Sequence, residues 1–186
     1  MGKLTINKTP IEGLYVVETA AFIDNRGAFA RWFCEAELAE ILGNRHIMNV
    51  NFSRTVKKGS VRGMHFQKPP HAEMKLIRCI KGTVFDVAVD LRANSNTMYK
   101  WYATELSAEN MKMFVIPEGF AHGFQTLSDD TEMLYLHTNF YDKDSEGAVR
   151  YNDPHIGINW PLNVAEISEK DATHPSINDN FESIIL

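Results

Sequence analysis

Four short segments of this chain gather side chains suited to proton transfer. In Ser60-Val61-Arg62-Gly63-Met64-His65-Phe66-Gln67, strand geometry puts Arg62 and Met64 on one face. Val61, Gly63, His65 and Gln67 take the other, so His65 and Gln67 project together with Gly63 leaving room beside them. An imidazole, with an ordinary pKa of ~6.5, exchanges protons readily near neutral pH. Lys75 heads the apolar run Lys75-Leu76-Ile77-Arg78-Cys79, where a lysine either snorkels to water or serves as a fixed cation in a pocket. Pro117-Glu118-Gly119-Phe120-Ala121-His122-Gly123-Phe124 sets a second histidine just after a turn. In Glu132–Tyr141 a period of two aligns Met133, Tyr135, His137, Asn139 and Tyr141 against Leu134, Leu136, Thr138 and Phe140. A polar-aromatic face backed by an apolar one suits a strand lining a ligand cavity. Tyrosine there both stacks on a ring and donates a proton.

The elements that must position these groups read mostly as strands. Turn signals recur at Asp24-Asn25-Arg26-Gly27, Lys57-Lys58-Gly59, Lys81-Gly82, Pro117-Glu118-Gly119 and Ser128-Asp129-Asp130. Lys75–Ile80 and Thr83–Leu91 flank Lys81-Gly82 and are expected to form a hairpin. In the second run Phe85, Val87, Val89 and Leu91 make an apolar side, and Val84, Asp86, Ala88 and Asp90 make the other. Met113–Ile116 is a strand stopped by Pro117, and Thr131–Tyr141 a long strand. Helix signals are few: Glu35–Leu42 before Gly43, and a capped start at Ser168-Glu169-Lys170-Asp171. Many short strands with close turns imply an all-β sandwich or barrel.

Composition removes whole classes. The 186 residues carry 19 Lys+Arg against 24 Asp+Glu, a net charge of -5, which argues against broad nucleic-acid binding. A few placed cations still suffice for a small anion. No apolar run reaches the ~18–20 residues of a membrane span, and the first residues lack the apolar stretch of a signal peptide. Cys34 and Cys79 match neither a disulfide framework nor a zinc spacing and read as small buried hydrophobes in a reducing cytoplasm.

The Pro-x-Gly-x-x-His pattern at 117–122 resembles the second metal-binding motif of the cupin barrels. The first cupin motif wants two histidines and a glutamate, but His65-Phe66-Gln67 keeps one histidine and Glu73 is out of spacing. A cupin-like antiparallel barrel, or jelly roll, with a few short helices and no required metal or other cofactor is therefore expected. More broadly, the chain resembles the dTDP-4-dehydrorhamnose 3,5-epimerase family. The matching stretches are Asp24–Phe29, Arg62–Gln67, Lys75-Leu76, Phe85–Arg92 and Pro117–Phe124, followed by Asn152-Asp153-Pro154, Gly157–Pro161 and Ser168–Asp171. They stand in order over roughly residues 10–175, within a single domain spanning 1–186.

The resemblance implies a homodimer with pocket residues shared between subunits, acting without metal. Its reaction epimerises C3 and C5 of a nucleotide-linked 4-keto-6-deoxy sugar. By motif match, His65 resembles the base, Asp171 its orienting carboxylate, Lys75 the enolate-stabilising cation and Tyr135 the acid on the opposite face. Arg26, Phe29, Asn49, Asn51, Arg62, Gln67, His122 and Tyr141 resemble substrate-binding positions. Arg31 stands where the family often has a glutamate facing the nucleobase, and Asn49 where a longer glutamine is common. Asp171 also fits the N3 position of a helix cap begun by Ser168. His71, His137 and His155 receive no role, and His46 and His174 read as surface residues. Two alternatives follow: an epimerase or ketoisomerase acting at fewer centres, and a sugar-nucleotide-binding barrel without catalysis.

Overall fold

The computed structural model describes residues 3–178 and 181–186. Its strands run β1 (Leu4–Lys8), β2 (Tyr15–Thr19), β3 (Phe22–Asp24), β4 (Gly27–Phe29), β5 (Asn49–Thr55), β6 (Ser60–Gln67) and β7 (Lys75–Lys81). Then come β8 (Thr83–Asp90), β9 (Trp101–Ser107), β10 (Met113–Ile116), β11 (Phe120–Thr126), β12 (Thr131–His137), β13 (Glu146–Ala148) and β14 (Glu166–Ile167). Two short helices, α1 (Ala39–Leu42) and α2 (Glu169–Thr173), complete the described elements. One sheet has the order β1-β2-β10-β7-β12-β5, the other β13-β6-β11-β8-β9, and β3-β4 is a separate hairpin. Pairing is antiparallel except for β14, which lies parallel along β6 at Ser60 and Val61. This is the expected all-β sandwich of cupin type, and no described helix is long and apolar enough to cross a membrane.

Three apolar layers hold the sheets. Between them, Ile77, Cys79, Phe114 and Met133 meet Val84, Ala88, Phe120 and Phe124. Outside the first sheet, Leu38, Ile41, Leu42 and Met74 cover Val17, Leu76, Met113 and Val115. Outside the second, Val149, Ile156, Ile158, Ile177 and Ile184 cover Met64, Phe66, Val87, Val89 and Leu91. Central strands are thus apolar on both faces, and all seven residues of β11 are buried. Burying one such side chain stabilises by roughly 1.5–3 kcal/mol.

Three local expectations change. β7 and β8 do not pair with each other: β7 joins β10 and β12, whereas β8 joins β11 and β9. Lys81-Gly82 is therefore a crossing between sheets rather than a hairpin turn. Gly82 permits it at φ +77, where a Cβ would lie 2.4 Å from Ser128 Oγ. The apolar side of β8 packs outward under the C-terminal segment, while Val84, Asp86 and Ala88 face the interior. The long strand ends at His137, because Asn139 and Gln67 divert the following backbone into a loop held by side-chain hydrogen bonds. The expected first helix shrinks to Ala39–Leu42, ended at Gly43 with φ 60.

Candidate active site

A cavity of about 780 Å³ opens between the sheets and is lined by His65, Lys75, His122, Tyr135, His137 and Asp171, among others. Its volume suits a small organic ligand. The walls are distinct: β6 and β11 bring His65 and His122 from one sheet, and β7 and β12 bring Lys75 and Tyr135 from the other. Adjacent register pairs His122 with His65 and His137 with Lys75.

His65 reaches the cavity through a β-bulge. On β11 two steps separate His122 from Phe124, but their partners on β6, His65 and Arg62, lie three apart. The extra residue reverses the alternation, so Arg62 and His65 both line the cavity while Met64 and Phe66 turn into the outer core. Regular alternation would instead set Arg62 and Met64 on one face. Gly63 makes the bulge possible at φ +130, with its Cα side against Gly123 of β11; a Cβ would come within 2.6 Å of Gly123 Cα.

Asp171 is both the residue whose N–H the helix cap Ser168 holds and the partner of His65. Its backbone N–H donates to Ser168 Oγ at 3.1 Å, while its carboxylate meets His65 Nε2 at 2.8 Å and accepts the Gly63 N–H at 3.1 Å. Burial raises its pKa, but the hydrogen bonds from His65 and Gly63 outweigh burial and hold it below the usual carboxylate value. An ionised carboxylate only accepts, so His65 Nε2 carries the hydrogen and Nδ1 keeps the lone pair. That is the arrangement of an oriented base.

Lys75 is buried at the cavity wall, and burial pulls its pKa down against the opposing charge of Glu73. Its Nζ donates to His65 O at 3.3 Å and lies 3.5 Å from Glu73 Oε1. Glu73 also holds His137 Nδ1 at 2.8 Å. Tyr135 shares a 2.9 Å hydrogen bond with Ser53, and burial pushes its phenol above the ordinary value, so it stays protonated through neutral and mildly alkaline pH. Behind them His122 Nε2 meets Asp86 Oδ1 at 2.8 Å. Burial lowers the pKa of His122 and raises that of Asp86, and Asp86 Oδ2 has no hydrogen-bond partner among the described residues.

Of the substrate-binding candidates, Asn51, Arg62 and His122 line the cavity. Arg62 donates to Thr55 Oγ1 at 3.0 Å and to Arg54 O at 3.3 Å, at the cavity edge. The others lie elsewhere. Gln67 is buried and clasps backbone at His71, Phe140 and Asp142. Asn49 donates to Asn139 O at 2.9 Å, and exposed Tyr141 donates to Glu146 at 3.3 Å. Arg26 and Phe29 sit on the exposed β3-β4 hairpin, with Arg26 paired to Asp24. Arg31 pairs with Glu37.

Sequence reasoning gave Glu73, Asp86 and Ser53 no place in this cluster, and set His137 on the cavity face of its strand without a role. A buried acid on the inward face of β8 was the available signal for Asp86. His174 is not a surface residue: its side chain is 16% exposed and its ring meets that of His65 edge-on at 6.1 Å. Cys79 is a buried hydrophobe as expected, its thiol pushed up to about 12 by burial.

Residues 8–179 match the family described as dTDP-4-dehydrorhamnose 3,5-epimerase. The chain is 43% identical to the enzyme of that name from Salmonella typhimurium, over 94% of this chain and 96% of the relative. The crystal structure of the Elizabethkingia anophelis enzyme superposes with a TM-score of 0.89 at 43% identity, covering 95% of this chain and 98% of that one. The dTDP-6-deoxy-D-glucose-3,5-epimerase of Legionella pneumophila, solved in complex with dTDP-4-keto-L-rhamnose, gives 0.86 at 40% identity, covering 92% and 91%.

Proposed function

Because this chain belongs to the dTDP-4-dehydrorhamnose 3,5-epimerase family, we propose that it converts dTDP-4-dehydro-6-deoxy-D-glucose to dTDP-4-dehydro-L-rhamnose with the groups of this cavity. The C4 ketone acidifies the hydrogens at C3 and C5. His65 Nδ1 takes one, and the imidazolium that forms is stabilised by Asp171 across the 2.8 Å contact. The electron pair moves onto the C4 oxygen, where buried Lys75 offers its ammonium in a water-poor site. Tyr135 then returns a proton from the opposite wall, inverting the centre; once His65 has released its proton to water and the Tyr135 phenolate has regained one, the same steps at the other carbon invert the second. The observation that carries this reading is the origin of the two groups: the base stands on one sheet and the acid on the other, so a sugar ring between them is addressed from both faces.

Arg62 and Arg54 at the cavity edge suit the diphosphate. Arg26 and Phe29 are too exposed to serve their own cavity, which favours the homodimer: the hairpin of one subunit would complete the site of its partner. Free Cys34 and Cys79 suit a cytoplasmic setting.

Incubation with the nucleotide 4-keto-6-deoxy sugar in heavy water is the direct test. Deuterium is expected at both C3 and C5, with product of inverted configuration. His65→Ala should slow exchange by roughly 10²–10⁴-fold. Tyr135→Phe, which keeps the base and loses the returning acid, should still exchange but no longer invert. Full epimerisation by Tyr135→Phe would remove Tyr135 from its role.

A further inference from the structure

His174 stands behind the acid–base dyad and has no part in the reaction as drawn. Its Nε2 is buried, lacks a hydrogen-bond partner among the described residues, and lies 3.7 Å from Asp171 Oδ1. That gap is too long for a hydrogen bond. It is close to the separation of two ligand atoms on one tetrahedral zinc ion, about 3.3–3.5 Å for bonds of about 2.0–2.2 Å. One ligand atom each from His65, Asp171 and His174 lies within 4.8 Å of the others. His65 Nε2 and Asp171 Oδ1, at 2.8 Å, need to part by only about half an ångström to admit the ion between them. The backbone around the third ligand is anchored: Arg150 Nε donates to His174 O at 2.7 Å, and His174 is the C-terminal cap of α2. Two imidazoles and a carboxylate, with coordination positions left open, are a donor set for zinc and its first-row neighbours.

We propose that His65, Asp171 and His174 bind a divalent transition-metal ion, zinc by its preference for this donor set, and that the bound ion switches the base off. Without the ion, His65 Nε2 carries the ring hydrogen and Nδ1 the lone pair. The ion takes the Nε2 lone pair, so the ring's single proton must sit on Nδ1; none is gained or lost. Nδ1 is then a donor and cannot receive a proton from carbon. Binding of the ion stands independently of the catalytic reading, whereas the switching rests on His65 as the base.

The test uses the full chain after chelator dialysis, with Co²⁺ as a spectroscopic probe. One Co²⁺ per chain is expected, with visible absorption of a low-coordinate site that Zn²⁺ displaces. Zn²⁺ at concentrations that displace cobalt should stop solvent exchange into substrate. His174→Gln should lower metal affinity by at least about tenfold and resist zinc, while its exchange rate in chelator matches the parent. No binding, or equal binding by H174Q, would overturn the site. Binding lost in H174Q, with exchange unaffected by bound metal in the parent, would uphold the site and overturn the switch.

Discussion

A buried ammonium is useful to an enolate only while it keeps its proton, and at Lys75 two effects contend over that proton. Burial pushes its pKa down, and Glu73 at 3.5 Å resists. Glu73 is itself pushed up by burial, but the hydrogen bond from His137 and the charge of Lys75 outweigh this and hold it ionised. Removing that negative charge must lower the Lys75 pKa further, because the Glu73 charge is the chief influence holding it up. Glu73→Gln should therefore move the alkaline limb of the kcat–pH profile to lower pH, with activity at slightly acid pH largely kept. Tyr135, raised by burial, titrates above this limb. A limb that stays in place in the variant would show that Lys75 does not set it. At this scale the sequence was legible where a residue's neighbours along one strand define its direction, as for Tyr135. It was opaque where the partner is distant: nothing local distinguishes His174 from a surface histidine, or tells Glu73 to turn between Lys75 and His137. Asp171 invited two competing readings, cap or dyad, and the contacts of both are present together, because its N–H and its carboxylate are used separately.

Strand β6 works through its irregularity. Without the extra residue between Arg62 and His65, strand alternation would set these two on opposite faces, and one would leave the cavity. The bulge depends on Gly63 and Gly123 touching, which Cβ atoms forbid: one on Gly123 would lie 2.5 Å from Met64 Sδ and 2.7 Å from Arg62 O. Gly63→Ala combines a φ of +130 with a 2.6 Å clash against backbone. The expected cost is about 2–4 kcal/mol, lowering Tm by roughly 5–15 °C. Surviving folded protein should lose kcat as well, since His65 and His122 are displaced together. Parental Tm and activity in Gly63→Ala would mean the strands can separate freely here. The bulge was not legible because a period-two reading assumes regular pleating. The β7–β8 crossing escaped for a related reason: a Lys-Gly turn between two strands looks the same whether the second strand folds back or departs to the other sheet. Fold class survived these errors because it needs only the number, length and apolar faces of the strands.

At the scale of the molecule, a chain of net charge -5 is proposed to hold a dianionic diphosphate. Arg54 and Arg62 supply local cations, and Arg26, 90% exposed, extends from a hairpin whose Phe22, Ile23 and Phe29 are 56%, 80% and 65% exposed. The edge strand β5 adds exposed Val50 and Phe52. Apolar surface of this extent on one chain suits burial against a second copy. Phe29→Asp should shift sedimentation from dimer toward monomer and raise KM for the nucleotide sugar more than it lowers kcat. A variant that remains dimeric with unchanged KM would deny the hairpin this role. The strap that carries Asp171 adds a dimension of time. The strands of both sheets up to β13 are complete by Ala148, and the carboxylate that meets His65 lies 106 residues after it. At roughly 5–20 residues per second, a ribosome finishes most of the chamber seconds before it makes the carboxylate proposed to orient the base. A nascent chain halted before β14 would hold most of the chamber but lack the carboxylate proposed to orient the base, so the cavity walls precede the dyad in synthesis.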